Sequence, residues 1–156
     1  MKLEVLSLDR SHIPDVKFLL AGYLNSSSNG IDEIEPSPEL LEQCDQILIR
    51  LLHDDSAFCF VATQEHEFLG FIVLSWSFSI SKGYPVLRIE ALYTSSKHRK
   101  KGVGKRLLQY AIDLAASKNA ARLQFETDED NAPARALYNQ LGFTLIQGKD
   151  VYMSFF

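Results

Sequence analysis

Apolar positions change their spacing several times along this chain, and each change marks an element. From Lys2 to Leu8 apolar and polar residues alternate, which predicts a first strand. Ile13, Val16, Leu19, Leu20 and Tyr23 then recur at helical spacing through Leu24, with Asp9 or Ser11 as cap. Asn25 to Pro36 (NSSSNGIDEIEP) is polar and rich in Ser and Gly, and reads as a mobile loop. Ser37 and Pro38 form a cap and first-turn pair. The apolar face of Leu40, Leu41, Cys44, Ile47, Leu48, Leu51 and Leu52 follows as a second helix.

Ala57–Thr63 and Phe68–Ile80 read as an antiparallel hairpin, and Val86–Thr94 as the next strand. Val103, Leu107, Leu108, Ala111, Ile112 and Ala115 mark a third helix to about Ser117. Arg122–Glu126 is a short strand. A fourth helix starts near Asn131, with Pro133 in its first turn, and stops at Gly142. Phe143–Ile146 and Val151–Phe155 are expected to close the chain as strands. The order β-α-α-β-β-β-α-β-α-β-β predicts a mixed α/β sheet, antiparallel at first with a βαβ crossover later, and helices on both faces.

The 156 residues suggest one domain, 1–156, with its own core. A net charge of −4 gives no sign of general nucleic-acid binding. The basic residues are clustered all the same, six of the sixteen Lys and Arg lying between Lys97 and Arg106. Cys44 and Cys59 fit no CxxC spacing and read as reduced core thiols of a cytoplasmic protein. The four His have no zinc-like spacing, so no metal is expected. No apolar run approaches the roughly 18–20 residues of a membrane span, and no membrane partner is expected. Asp32, Glu33 and Glu35 are either solvated linker charges or an acidic rim that attracts a cationic substrate.

The basic cluster sits where the third helix starts, at Gly102 and Gly104. Cations are unfavourable at the positive end of a helix dipole unless something negative binds there. A phosphate resolves the conflict, because first-turn N–H groups are a ready anion site. The GxxxxGK[ST] phosphate loop is absent. A GxGxxG dinucleotide fingerprint fails at Leu107, although Glu126 falls at a plausible distance for its ribose acid. Only about fifty residues follow, too few for the rest of such a domain.

Arg99-Lys-Lys-Gly102-Val-Gly104 after a strand instead resembles the acetyl-CoA pyrophosphate loop of the GNAT superfamily of N-acetyltransferases. Downstream, Asn131-Ala-Pro-Ala134-Arg-Ala-Leu-Tyr138-Asn-Gln-Leu-Gly142-Phe143 is similar to the family's NxxAxxxYxxxGF helix at every marked position. The two motifs stand in family order, and the element order resembles the whole fold, so the likeness covers nearly the full chain. The strand IEALYT and the FxxxxWSFS-like hairpin segment from Phe71 through Ser79 look most like the small-amine or diamine branch, with a departure at Ala91, where diamine enzymes often carry an acid.

The resemblance implies acetyl transfer from acetyl-CoA to a primary amine of a small molecule. A free alkyl amine has a pKa near roughly 10 and must lose a proton. Glu90 is the first candidate for base: in a regular strand it shares a face with Arg88, Leu92 and Thr94, and apolar surroundings would raise its pKa. The alternative is a structural ion pair with Arg88 or a neighbouring strand. Leu92, Tyr93 and Thr94 would act through backbone on the pantetheine arm and the acetyl carbonyl. Arg99, Lys100, Lys101, Gly102, Val103, Gly104 and Lys105 would carry the phosphates, both glycines letting the backbone approach closely.

Tyr138 lies two helical turns after Asn131, on the same side. The motif implies Asn131 on the pantetheine amide, Ala134 at the cofactor, and Tyr138 as general acid at the departing sulfur. Core packing is the bland account of Tyr138. Cys44 and Cys59 lie away from the motifs, which disfavours an acyl-cysteine. Other functions the chain allows are a non-catalytic acyl-CoA-binding sensor, acetylation of a protein N-terminus or lysine, and, more distantly, a nucleotide-dependent oxidoreductase. Homodimers are common in the family.

Overall fold

The computed structural model describes residues 2–29, 35–127 and 132–156, apart from the side chains of 27–29 and 132–134. The chain divides into two compact units, Met1–Phe125 and Glu126–Phe156. Among its described residues the first holds five strands and three α-helices: β1 (Glu4–Ser7), α1 (Ile13–Asn29), α2 (Pro38–Leu52), β2 (Ala57–Gln64), β3 (Glu67–Ser79), β4 (Tyr84–Thr94), α3 (Val103–Ser117) and β5 (Arg122–Gln124). The sheet runs in the order β1-β2-β3-β4-β5. The first four strands are antiparallel, and β5 returns parallel to β4 after the α3 crossover.

Local chemistry accounts for the element ends. Asp9 accepts from the Ser11 amide and opens a single 3-10 turn that leads into α1. Ser37 accepts from the Leu40 amide with Pro38 in the first turn of α2. The β2–β3 turn is two residues long, and both have positive φ, Glu65 at 51° and His66 at 69°. That geometry matches the strand twist, although neither residue is the Gly or Asn usual there.

The α1 and α2 helices cover one face of the sheet, where Val16, Leu20, Cys44 and Leu48 pack with Val61 and Phe71. The opposite face carries α3, whose Val103, Leu107, Leu108 and Ala111 are buried. Phe60, alternating with Cys59 and Val61, meets Tyr110 of α3 at 4.5 Å between ring centroids.

Two expectations need correction. The α1 helix continues to Asn29, so the polar residues from Asn25 to Asn29 are helical and not loop. Ser and Asn cost only about 0.5 kcal/mol each in a helix, which established helical hydrogen bonding overrides. The C-terminal strands expected at Phe143–Ile146 and Val151–Phe155 are not strands. Alternation sets side-chain direction, but a strand also needs a ladder partner. Instead Ile146, Tyr152 and Phe155 are exposed.

In the second unit, α4 (Ala132–Gln140) ends as its sequence predicts. Gly142 has φ +90°, its amide donates to the Asn139 carbonyl, and the Phe143 amide donates to the Tyr138 carbonyl at 3.0 Å. This is the Schellman stop that a glycine permits.

Candidate active site

Strand β4 organises the site through an irregularity. Val73 of β3 pairs with Ala91 and Leu74 with Ile89, so β4 carries one extra residue, Glu90. A bulge of this kind bends a strand and re-aims a side chain. Glu90 and Ala91 consequently line the same cavity on the α1–α2 side. Thr94 pairs with Gly70 and faces α3, close to Gly104. The regular alternation that would put Glu90 on one face with Leu92 and Thr94 is broken at this point, and of the expected set only Arg88 stays beside it.

Glu90 is not isolated among apolar groups. It accepts a short hydrogen bond from the Ser75 hydroxyl and lies 3.6 Å from Arg88 Nε, and its side chain is 45% exposed. An ion pair that open contributes about 0–1 kcal/mol, so it orients the carboxylate more than it stabilises the fold. Ser75 gave no signal of its own in the sequence. It is found only by counting the hairpin register back from its turn, since Ser75 pairs with Arg88.

The cavity holds about 370 Å3 and lies between α1, α2 and strands β2 to β4. Its walls are mainly apolar, with Leu20, Ile47, Leu51, Phe71 and Val73 among them. Tyr23 and Tyr93 meet edge-on beside Phe71. Gly22 is required for that packing, because a methyl there would overlap the Tyr93 hydroxyl. Cys59, distant from both motifs in sequence, also reaches this cavity. Burial pushes its thiol up to about 12, and burial followed by the neighbouring Asp45 pushes that of Cys44 up to about 11. Neither is a thiolate near neutral pH.

The basic turn begins where β4 ends. Gly102 caps α3 in the left-handed region at φ +83° and contributes no side-chain hydrogen bond to the first-turn amides. Lys100 is also left-handed, at φ +63°, a conformation that costs a non-glycine residue about 1–2 kcal/mol. Lys100, Lys101 and Lys105 are exposed, whereas the Val103 side chain is buried in the core and leaves only its backbone for a ligand. Arg99 turns back onto the strand, its Nε donating to the Thr94 carbonyl at 3.2 Å and its guanidinium lying 5.7 Å from the Tyr93 ring centre. A β-carbon on Gly104 would meet only Thr94 Oγ1, at 3.7 Å, so the backbone there stays approachable. Uncapped amides, left-handed glycine and exposed cations suit a pyrophosphate.

Leu92, Tyr93 and Thr94 lie beyond the reach of β5, which pairs only with Val86 to Arg88. The β4–β5 ladder therefore ends before these three residues. In the second unit, Tyr138 lies in α4 with its ring edge-on to Phe143 at 6.1 Å. Burial raises its pKa above the ordinary 10.0, which keeps the phenol protonated and able to donate. Asn131 lies outside the described residues, and so do Asp32 and Glu33. Ala134 is within α4. Glu35 is exposed.

The sequence model of the acetyltransferase (GNAT) family matches residues 23–143. An uncharacterized N-acetyltransferase of Bacillus subtilis, YhfO, is 31% identical over 103 residues, which are 66% of this chain and 69% of that protein. A streptothricin acetyltransferase of Escherichia coli is 33% identical over 92 residues, 59% of this chain and 50% of its own length. An N-alpha-acetyltransferase of Sulfurisphaera tokodaii is 29% identical over 117 residues, 65% of this chain and 70% of that one. The crystal structure of a probable acetyltransferase superposes with a TM-score of 0.80 at 24% identity, covering 99% of this chain and 98% of that one. These relatives differ in what they are named for, and they do not single out the small-amine branch. They do agree on the family: this chain belongs to the GNAT acetyltransferases.

Proposed function

We propose that this chain transfers an acetyl group from acetyl-CoA directly to the primary amine of a small molecule held in the cavity beside Glu90. The bulge carries this reading. It turns one carboxylate of β4 toward a mainly apolar cleft, while the same strand runs on past its β5 pairing to a basic helix start. GNAT enzymes use acetyl-CoA, which when bound supplies an acetyl group activated as a thioester.

Lys100, Lys101, Gly102, Gly104 and Lys105, with the Val103 amide, would hold its phosphates, with Arg99 anchoring the turn to Thr94. The backbone of Leu92, Tyr93 and Thr94, with Asn131 and Ala134, would hold the pantetheine arm. Glu90 takes a proton from the arriving ammonium, directly or through water, and Tyr138 returns one to the departing sulfur. Holding both reactants in place supplies much of the acceleration. The high pKa of Cys59 supports direct attack over an acyl-cysteine, since a neutral thiol is a poor nucleophile.

The resemblance to an N-alpha-acetyltransferase favours a second reading, with a protein N-terminus as the acceptor amine. Thiol release from acetyl-CoA, measured over small amines, amino acids, amino sugars and short peptides, tests both. Turnover with small amines supports the first reading, and turnover with peptides alone replaces it by the second. Tight acetyl-CoA binding without turnover on any amine makes the chain a sensor.

A further inference from the structure

We infer that the acceptor is a monoamine with an apolar body, about the size of a hexyl or phenylethyl group, and not a polyamine or amino sugar. This deepens the proposal above and rests on the cavity being the acceptor site. The two carboxylates of the lining share one anchor. Ala57 pairs with Ser75, the Ser75 hydroxyl donates to Glu90, and the Ala57 amide donates to Asp54. Both carboxylates of the lining are thus tied to one cross-strand pair, with the exposed Arg50 on the turn of α2 before Asp54. Leu20, Leu24, Ile47, Phe71 and Val73 add apolar lining, and Tyr23 adds one phenol.

The volume, about 370 Å3, is at the low end of the roughly 300–1,000 Å3 of small-molecule sites. One ammonium is satisfied beside Glu90. Among the described lining residues away from Glu90, Asp54 and Arg50, a second one or a ring of hydroxyls would meet apolar groups and the single Tyr23 hydroxyl, which is costly. Ala91 fits the same picture, since it presents a methyl to the cavity where a diamine site would call for an acid.

Matched acceptors test this. Hexylamine and 1,6-diaminohexane differ only in a terminal methyl against a terminal ammonium. The expected result is a kcat/KM for hexylamine and 2-phenylethylamine higher than for 1,6-diaminohexane and spermidine by on the order of tenfold or more. Equal or better use of the diamines overturns the inference and leaves amine acetylation standing. Calorimetric binding of the same amines with CoA present provides a readout independent of turnover. Preferential binding of hexylamine without acetylation upholds the apolar acceptor site and overturns the catalytic proposal; binding of neither amine overturns the inference.

Ile47 lies five residues before Leu52, the last residue of α2, roughly 7.5 Å along the helix axis from that end. Ile47→Asp places an acid in the apolar lining, and should narrow the hexylamine preference by improving the diamine. An unchanged ratio in a variant with a normal melting temperature overturns the assignment of that lining.

Discussion

Glu90 owes its position to one added residue in β4 and its orientation to Ser75 and Arg88. If its carboxylate takes the acceptor proton, Glu90→Gln lowers kcat by on the order of a hundredfold and flattens the acidic side of the rate–pH profile. Acetyl-CoA affinity should stay unchanged in calorimetry. A variant with the wild-type profile would leave Glu90 as a bulge residue fixed by its partners. Tyr138 is tested on the other limb. Its burial holds the phenol protonated beyond the ordinary value of 10.0, so the general acid proposed here would be intact through neutral pH. Tyr138→Phe should cut turnover by about tenfold to a hundredfold with little loss of acetyl-CoA binding. Equal loss in both would point to packing against Phe143.

At the scale of the element, the start of α3 concentrates two costs. Exposed cations oppose the helix dipole, and Lys100 and Gly102 both take left-handed backbone. A pyrophosphate bound there, as proposed, would offset the first cost by meeting both the charges and the uncapped amides. Gly102→Ala has room for its methyl, since nothing lies within 4 Å, and so isolates the backbone effect. It should weaken CoA binding by about fivefold, equivalent to ~1 kcal/mol, in calorimetry. Raising salt should reduce the affinity of wild type and variant in parallel, because the contacts are between exposed charges. Unchanged affinity in the variant would move the phosphate site elsewhere.

At the scale of the whole molecule, the two thiols report on the cohesion of the α1–α2 face. Cys44 and Cys59 are buried, with thiols pushed to about 11 and about 12. Iodoacetamide at pH 8 should label them only as fast as the first unit unfolds, and acetyl transfer should survive brief treatment. Rapid labelling of the folded chain would show that the cavity opens to Cys59 without unfolding.

Sequence by itself determined the order of helices and paired strands, the Ser37 and Gly142 helix ends, and the two motifs that carry the family. These are local properties, in which period, cap residues and fixed spacing need no knowledge of distant partners. It misplaced the faces of β4, because a bulge without glycine leaves no mark in the alternation. It also over-assigned strands after Gly142, because a ladder needs a neighbour that periodicity cannot supply. Only the tertiary structure decided that Ser75 and Arg88 hold Glu90, that Cys59 reaches the same cavity, and that Glu90 and Asp54 are tied to one cross-strand pair beside it. Each of these joins residues far apart in the chain, so their chemistry exists only once the strands have paired and the helices have closed over them.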